Sequence, residues 1–172
     1  MKLLGVIIGA LGLLGANGLA HAEGQSGAYF RADLGWSYMD WGQKDDAFVG
    51  GGGIGYQFND WLRSDVTVDY AGSYSVGWLH GGNLSTVSGL ANVYLDIPTG
   101  TSFTPYIGGG AGMSWVDRGE SDSAFAFDLT GGFAVDITDN VTLDIGYRYV
   151  NTNAEGSNLQ QHEGLAGVRF GF

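Results

Sequence analysis

The chain has 172 residues, with 32 glycines, two prolines, no cysteine and a formal net charge of −11. About 150 residues is the usual size of a domain, so one domain is expected. The absence of cysteine excludes disulfide frameworks and cysteine-ligated metal sites, and the acidic charge disfavours nucleic acid as a partner.

The first 22 residues are typical of a secretory signal peptide. Lys2 provides a positive start, an apolar run follows over residues 3–15, and Ala20-His21-Ala22 offers small residues for a cleavage site. The apolar run is shorter than the roughly 20 residues of a membrane helix, which makes a retained anchor the less favoured alternative. Cleavage would make Glu23 the first residue of the mature domain, residues 23–172.

From Glu23 onward, apolar and polar residues alternate with a period of two, which predicts β-strands. In the first segment, for example, Phe30 and Leu34 alternate with Arg31 and Asp33. The eight predicted strands are residues 28–38, 48–58, 62–70, 87–96, 104–115, 125–136, 141–149 and 163–172. Segments of about ten residues are long enough to cross a membrane as tilted strands.

Two architectures fit eight amphipathic strands. A soluble sandwich would bury the apolar faces, whereas a membrane barrel turns them toward lipid and encloses the charged faces. Glycines are concentrated on the charged faces, where an eight-stranded barrel has little room. Aromatic residues gather near the strand ends, as in interfacial girdles: Tyr38, Phe58, Tyr70, Trp115, Tyr149 and Phe172. These features favour an all-β, eight-stranded antiparallel up-and-down transmembrane β-barrel, with a secreted sandwich as the alternative.

The connections alternate in length, as expected for a barrel with two different ends. The short turns are residues 59–60, 98–102 and 138–140, and the long loops are residues 39–46, 71–85, 117–122 and 151–160. The short turns and both termini are expected on the periplasmic side and the long loops outside. Residues 52–70 also match residues 131–149 without a gap, which indicates two hairpins built to one plan.

Four motifs carry a resemblance to a known family. They are NDWLRSDVTVDY, ANVYLDIP followed by FTPYIGGGAG, VTLDIGYRY, and the closing GVRFGF. They resemble the outer-membrane protein beta-barrel domain family, which includes opacity-type surface antigens and OmpA/OmpX-like barrels. The resemblance implies a Gram-negative outer membrane reached through the periplasm, with lipid and lipopolysaccharide as surroundings. Phe170 and Phe172 resemble the signal read by the barrel assembly machinery.

The alternation places twelve charged residues on the inner face, and this set is the predicted lumen charge network. Its members are Arg31, Asp33, Arg63, Asp65, Asp69, Asp96, Asp128, Asp136, Asp144, Arg148, Glu163 and Arg169. In a narrow interior such charges must pair, because an unpaired buried charge is costly. A salt-bridged interior that fixes the strand register is the favoured interpretation. A cation-selective leak, attracted by the excess of carboxylates, is the alternative.

Two motifs resemble functional sites but lack a feature that each of those sites needs. The glycines Gly50, Gly52 and Gly55 match a dinucleotide-binding spacing, but they lie inside a strand and no helix follows. His162 begins the last strand, and lipid A deacylases use a His-x-Ser pair on a barrel wall. Here Gly164 occupies the serine position, and no HExxH or EF-hand pattern occurs in the sequence. No enzyme activity, cofactor or metal is therefore expected.

The second loop differs from the others because it is rich in apolar and aromatic residues. Its candidate ligand contacts are Tyr74, Trp78, Leu79 and His80. The favoured function is a structural, envelope-integrity barrel that is also a surface antigen. The alternatives are a loop-mediated adhesin, a binder of a host surface ligand or haem, and a narrow cation-preferring pore.

Overall fold

The computed structural model describes residues 26–40, 44–73, 85–117, 121–154 and 157–172. They form eight strands: β1 (Gly27–Asp40), β2 (Lys44–Asn59), β3 (Leu62–Ser73), β4 (Ser85–Asp96), β5 (Phe103–Asp117), β6 (Ser121–Thr138), β7 (Val141–Ala154) and β8 (Ser157–Gly171). Each strand pairs antiparallel with the next, and β8 pairs with β1 to close the barrel. The predicted signal peptide lies outside the described residues. None of the described residues forms a helix that is long and apolar enough to span a membrane.

The strands extend further toward the predicted outer end than the alternation indicates. The bounds predicted for three long loops, residues 39–46, 117–122 and 151–160, are therefore wrong, because half or more of the residues in each belong to paired strands. The register continues to Asp117↔Ser121 in one hairpin and to Ala154↔Ser157 in another. At this end the residues are polar, so the apolar alternation stops while the hydrogen-bonded pairing of the backbones continues. The side-chain pattern alone therefore underestimates the length of the strands.

The barrel wall is apolar outside and polar inside. Leu34 and Leu129 on the outer face are 60 % and 61 % exposed, whereas Asp33, Thr67 and Glu163 on the inner face are buried. This arrangement is the inverse of a soluble sandwich, so that alternative is wrong. A closed barrel pairs every strand edge, which lipid requires because it offers no hydrogen bonds to unpaired backbone groups.

Inner-face glycines make room for the large polar side chains of neighbouring strands. A Cβ on Gly55 would lie 2.3 Å from Cζ of Tyr29, and a Cβ on Gly167 would lie 2.2 Å from Oδ1 of Asp33. Since real Cβ atoms do not approach other atoms so closely, these positions admit only glycine without rearrangement. The high glycine content is thus partly a packing requirement of the narrow interior.

The internal repeat is visible in the backbone. The register of β2 with β3 shifts between Gln57 and Asn59, and that of β6 with β7 shifts between Asp136 and Thr138. These positions are equivalent in the repeat, so both hairpins carry a β-bulge at the same place beside the same turn. A shared bulge is a specific backbone feature, which supports one structural plan for both hairpins.

Because Ile145 faces outward, a charge introduced there should destabilise the barrel by an amount that depends on its depth in the bilayer. Ile145→Arg places a guanidinium in the middle of the wall and should lower the free energy of unfolding by about 2–4 kcal/mol in a bilayer. Ile97 has nearly the same exposure, 53 % against 52 %, but follows the end of β4. Ile97→Arg is therefore the matched control and should cost at most about 1 kcal/mol. Equal losses in urea titrations of the two variants would contradict the placement of the wall in lipid.

Candidate functional site

The candidate site is the inner face of the barrel, and Arg31 on β1 is one of its centres. Its Nε and Nη2 donate to the two carboxylate oxygens of Asp33, each at 2.8 Å. Its Nη1 donates to Oδ2 of Asp65 at 2.9 Å and to the hydroxyl oxygen of Tyr94 at 2.7 Å. Tyr29 also donates to Asp65, at 3.0 Å. One guanidinium therefore joins β1 to β3 and β4 across the lumen.

Arg63 forms a second centre at the start of β3. Its Nε lies 3.0 Å from both carboxylate oxygens of Asp96. The guanidinium carbon lies 4.2 Å from the ring centre of Tyr94 and 4.8 Å from that of Tyr106. Cation–π contacts of this kind are stronger when water is excluded, and Arg63 is among the most deeply buried residues.

Arg148 on β7 bridges the barrel near its middle. Its Nε donates to Oε2 of Glu163 on the neighbouring β8 at 2.6 Å, and its Nη1 donates to Oδ2 of Asp69 on β3 at 3.1 Å. β3 and β7 are opposite strands of the eight-stranded ring. This ion pair therefore crosses the full width of the lumen.

Arg169 on β8 makes a simpler contact near the short-turn end. Its Nε binds Oδ2 of Asp144 on β7 at 2.7 Å, and its guanidinium lies over the ring of Tyr29. The Arg169 side chain is 12 % exposed, more than that of any other ion-paired arginine of the lumen. Water therefore reaches this pair more easily than the others.

Two predicted members lie outside these ion pairs. Asp128 on β6 is buried, but neither carboxylate oxygen has a hydrogen-bond partner in the described part of the chain. The prediction that Asp136 belongs to the lumen network is wrong, because this residue is exposed. It lies next to the bulge at the end of β6, and the hydroxyl of Thr142 donates to it at 2.6 Å. There the strand has left the enclosed part of the barrel.

The packed interior leaves little free space. A central cavity of about 10 Å³ is lined in part by Arg31, Asp33, Tyr106, Asp144 and Arg148. A cavity needs about 10–15 Å³ by this measure to hold one water molecule. The cavity is therefore a site for a single water at most.

The network also contains tyrosine and amide side chains, which a prediction based on charged residues alone does not include. Tyr29, Tyr94, Tyr106 and Asn92 are buried on the inner face. The first two alternate in phase with the charged residues, so the period-two pattern was a signal that could have found them. Asn92 on β4 alternates in the same phase. Its hydrogen bond to Asp65, however, can be predicted only when the register of β3 with β4 is known.

The remaining predicted residues lie elsewhere. The candidate loop contacts Tyr74, Trp78, Leu79 and His80 are outside the described residues. Phe170 and Phe172 are exposed on the outer face, where Phe172 stacks on Phe30 with ring centres 5.1 Å apart. The glycines of the dinucleotide-like spacing, Gly50, Gly52 and Gly55, are all within β2.

His162 lies on the outer wall rather than in the lumen. Its Nδ1 is hydrogen-bonded to the hydroxyl of Tyr147, and its ring lies 5.3 Å from that of Tyr149. Within the described ranges, no group of three His, Cys, Asp or Glu side chains is arranged to hold a metal ion.

Comparison with known proteins agrees with this architecture. The sequence model of the outer membrane protein beta-barrel domain family matches residues 7–172 of this chain. An uncharacterized protein of Brucella abortus is 29 % identical over a match that covers 74 % of this chain and 69 % of the relative. The crystal structure of Neisserial surface protein A is 26 % identical, has a TM-score of 0.74, and is matched over 86 % of this chain and 98 % of that one. The outer membrane enzyme PagL, 14 % identical with a TM-score of 0.54 over 84 % of this chain and 99 % of its own, shares the fold.

The cross-barrel position of Arg148 predicts a large effect of its removal. Arg148→Met would leave the carboxylates of Asp69 and Glu163 buried without their cation, at a cost of about 3–5 kcal/mol. Arg169→Met is the matched control, and its single, more exposed pair should lose clearly less. Urea titrations of both variants measure the difference. A larger loss for Arg169→Met would show that the stability does not depend on the cross-barrel pair.

Proposed function

Because the chain belongs to the outer membrane protein beta-barrel domain family, we propose that it is a Gram-negative outer-membrane barrel with a structural role. In this proposal it is exported through the periplasm, is inserted by the barrel assembly machinery and contributes to envelope integrity. Its loops face outward as a surface antigen among lipid and lipopolysaccharide. It performs no catalysis.

The closed lumen is the observation that carries this proposal. Arg31, Arg63 and Arg148 each bind carboxylates on other strands, and the central cavity accommodates one water at most. A solute would have to break several buried ion pairs to pass, and breaking one such pair costs about 3–5 kcal/mol. A filled lumen supports a role for the barrel wall itself rather than for transport.

The charge balance of the lumen favours one second candidate, a narrow cation-preferring pore. In the described part of the chain, seven buried carboxylates face four arginines: Asp33, Asp65, Asp69, Asp96, Asp128, Asp144 and Glu163 against Arg31, Arg63, Arg148 and Arg169. An acidic lumen attracts cations and repels anions. This candidate requires the network to open, since buried ion pairs cross the described part of the lumen.

A third candidate, a loop-mediated adhesin or ligand binder, depends on the second loop. Tyr74, Trp78 and Leu79 give this loop aromatic and apolar side chains, and such residues often anchor a partner. A host surface ligand or haem would be the partner in that case.

The proposal of no catalysis rests on the surroundings of His162. Its hydrogen-bond partner is the hydroxyl of Tyr147, and the next outward position of β8 is Gly164, which offers no nucleophile. A serine at that position would be needed for the histidine–serine arrangement of a lipid A deacylase.

Conductance separates the closed barrel from the pore. The protein refolded into a planar bilayer should show no single-channel steps in symmetric KCl, because the lumen network blocks the path. A porin prepared in the same way is the positive control. Regular cation-selective steps would contradict the structural role and establish the pore.

Two deletions separate the structural role from the adhesin. Replacing residues 73–83 by a short Gly/Ser turn should leave assembly and detergent resistance of cells intact, because a surface loop carries little strand pairing. Deleting Phe172 should reduce the assembled amount, since it removes the terminal aromatic residue that stacks on Phe30. Normal assembly with lost binding to host cells in the loop variant would favour the adhesin instead.

A further inference from the structure

Asp128 differs from every other buried carboxylate of the lumen. The residue is 2 % exposed, and neither Oδ1 nor Oδ2 has a hydrogen-bond partner among the described residues. An ionised carboxylate in such surroundings is strongly unfavourable unless a positive group lies beside it. Its charge therefore requires a partner that the pairs described above do not supply.

Asn92 brings a second unpaired acceptor to the same place. Its Oδ1 is buried and has no donor in the described part of the chain. Its Nδ2 donates to Oδ1 of Asp65 at 2.9 Å, which fixes the orientation of the amide. Turning the amide around would break that bond and place two acceptor oxygens together at Asp65. The unpaired Oδ1 of Asn92 is therefore a consequence of the network.

Gly110 allows the two acceptors to meet. Asn92, Gly110 and Asp128 are direct cross-strand neighbours on β4, β5 and β6. A Cβ on Gly110 would lie 1.9 Å from Oδ1 of Asn92 and 2.5 Å from Oδ1 of Asp128. Both oxygens thus converge over one glycine, where they repel each other unless a cation or a hydrogen-bond donor lies between them.

The lumen arginines do not supply this partner. Arg148 directs Nε to Glu163 and Nη1 to Asp69, and within the described residues it forms no ion pair with Asp128. The other three lumen arginines, Arg31, Arg63 and Arg169, bind carboxylates other than Asp128. Among the described residues the lumen therefore has more buried carboxylates than cationic side chains, and Asp128 is the buried carboxylate there without an ion pair.

We propose that Asp128 and Asn92 bind a small monovalent cation, Na⁺ or K⁺, on the lumen side of Gly110. A carboxylate and an amide carbonyl are hard oxygen donors of the kind that such cations accept. A divalent ion would need more acidic ligands, and no group of three is found in the described ranges. The site concerns charge balance in the lumen wall and does not depend on whether the barrel conducts.

The test compares small and bulky cations at equal ionic strength. Wild-type protein in a zwitterionic detergent is unfolded by urea in NaCl, KCl or N-methylglucamine chloride. The midpoint should be higher in NaCl or KCl and should rise with the logarithm of the salt concentration, because a bound ion stabilises only the folded state. N-methylglucamine is the bulky control cation, which has the same charge as Na⁺ and K⁺ but is far larger than either.

Two variants make the comparison specific. Asp128→Asn keeps the side-chain shape, and its amide can donate to Oδ1 of Asn92, so its midpoint should be the same in all three salts. Asp136→Asn makes the same chemical change on an exposed carboxylate and should keep the wild-type difference. Equal wild-type midpoints in the three salts, or a salt difference that persists in Asp128→Asn, would overturn the proposal.

Two measurements do not rely on stability. Wild-type protein should broaden the sodium-23 NMR line, and KCl should reverse the broadening by displacement, even if Asp128→Asn fails to refold. Absence of broadening overturns a sodium site, and absence of reversal overturns competition by potassium at that site. An infrared carbonyl band of a protonated carboxylic acid that disappears in Asp128→Asn would show that a proton, rather than a cation, neutralises this group.

Discussion

The enclosed lumen of an eight-stranded barrel is the constraint on which the rest of the structure depends. Lipid requires apolar side chains outside, so the alternate residues of every strand point into a space too narrow for bulk water. Polar groups there must be satisfied by one another. Arg31, which binds Asp33, Asp65 and Tyr94 at once, shows how a single guanidinium with several donors meets this requirement. The glycines opposite these side chains follow from the same lack of space.

The network also links strands that are far apart in the sequence. The Arg148–Asp69 pair joins residues 79 apart, on opposite strands of the barrel, and these two residues are equivalent positions of the internal repeat. Two copies of one hairpin therefore meet at the barrel axis with opposite charges. A register slip of one residue would turn each inward charge toward lipid. The ion pairs thus specify a single register for strands whose apolar faces are interchangeable.

The sequence predicted the fold because lipid imposes the same rule on every strand. The period of two identified eight strands, and the repeat of residues 52–70 at 131–149 indicated the matching turns. It could not predict where the strands end, because beyond the apolar belt the backbone stays paired without an alternating pattern. It also misplaced Asp136, because strand parity does not show where β6 leaves the enclosed part of the barrel and this residue becomes exposed.

The sequence predicts which residues face the lumen better than it predicts which of those residues pair with each other. The inward positions of Asp65 and Asp128 follow from strand parity, but their different surroundings do not. Asp65 is reached by Arg31, Tyr29 and Asn92, which lie on β1 and β4 at distances set by barrel curvature and strand stagger. Asp128 has the same chemistry and parity, yet its cross-strand neighbours are Gly110 and Val150, neither of which carries a side-chain donor.

The energetic role of the network is specificity more than stability. Replacing a buried ion pair by apolar side chains of similar volume is often neutral or stabilising, so charges are not needed merely to fill a lumen. A barrel with apolar residues on both faces, however, would contain long uninterrupted apolar segments. Such segments have the sequence signal of a membrane helix and the aggregation tendency of an unpaired strand. Polar residues at every second position interrupt such apolar segments and so remove both the membrane-helix signal and the aggregation tendency. Once the barrel has closed, the arginines form ion pairs with the acidic residues among them and so offset the cost of burying charge.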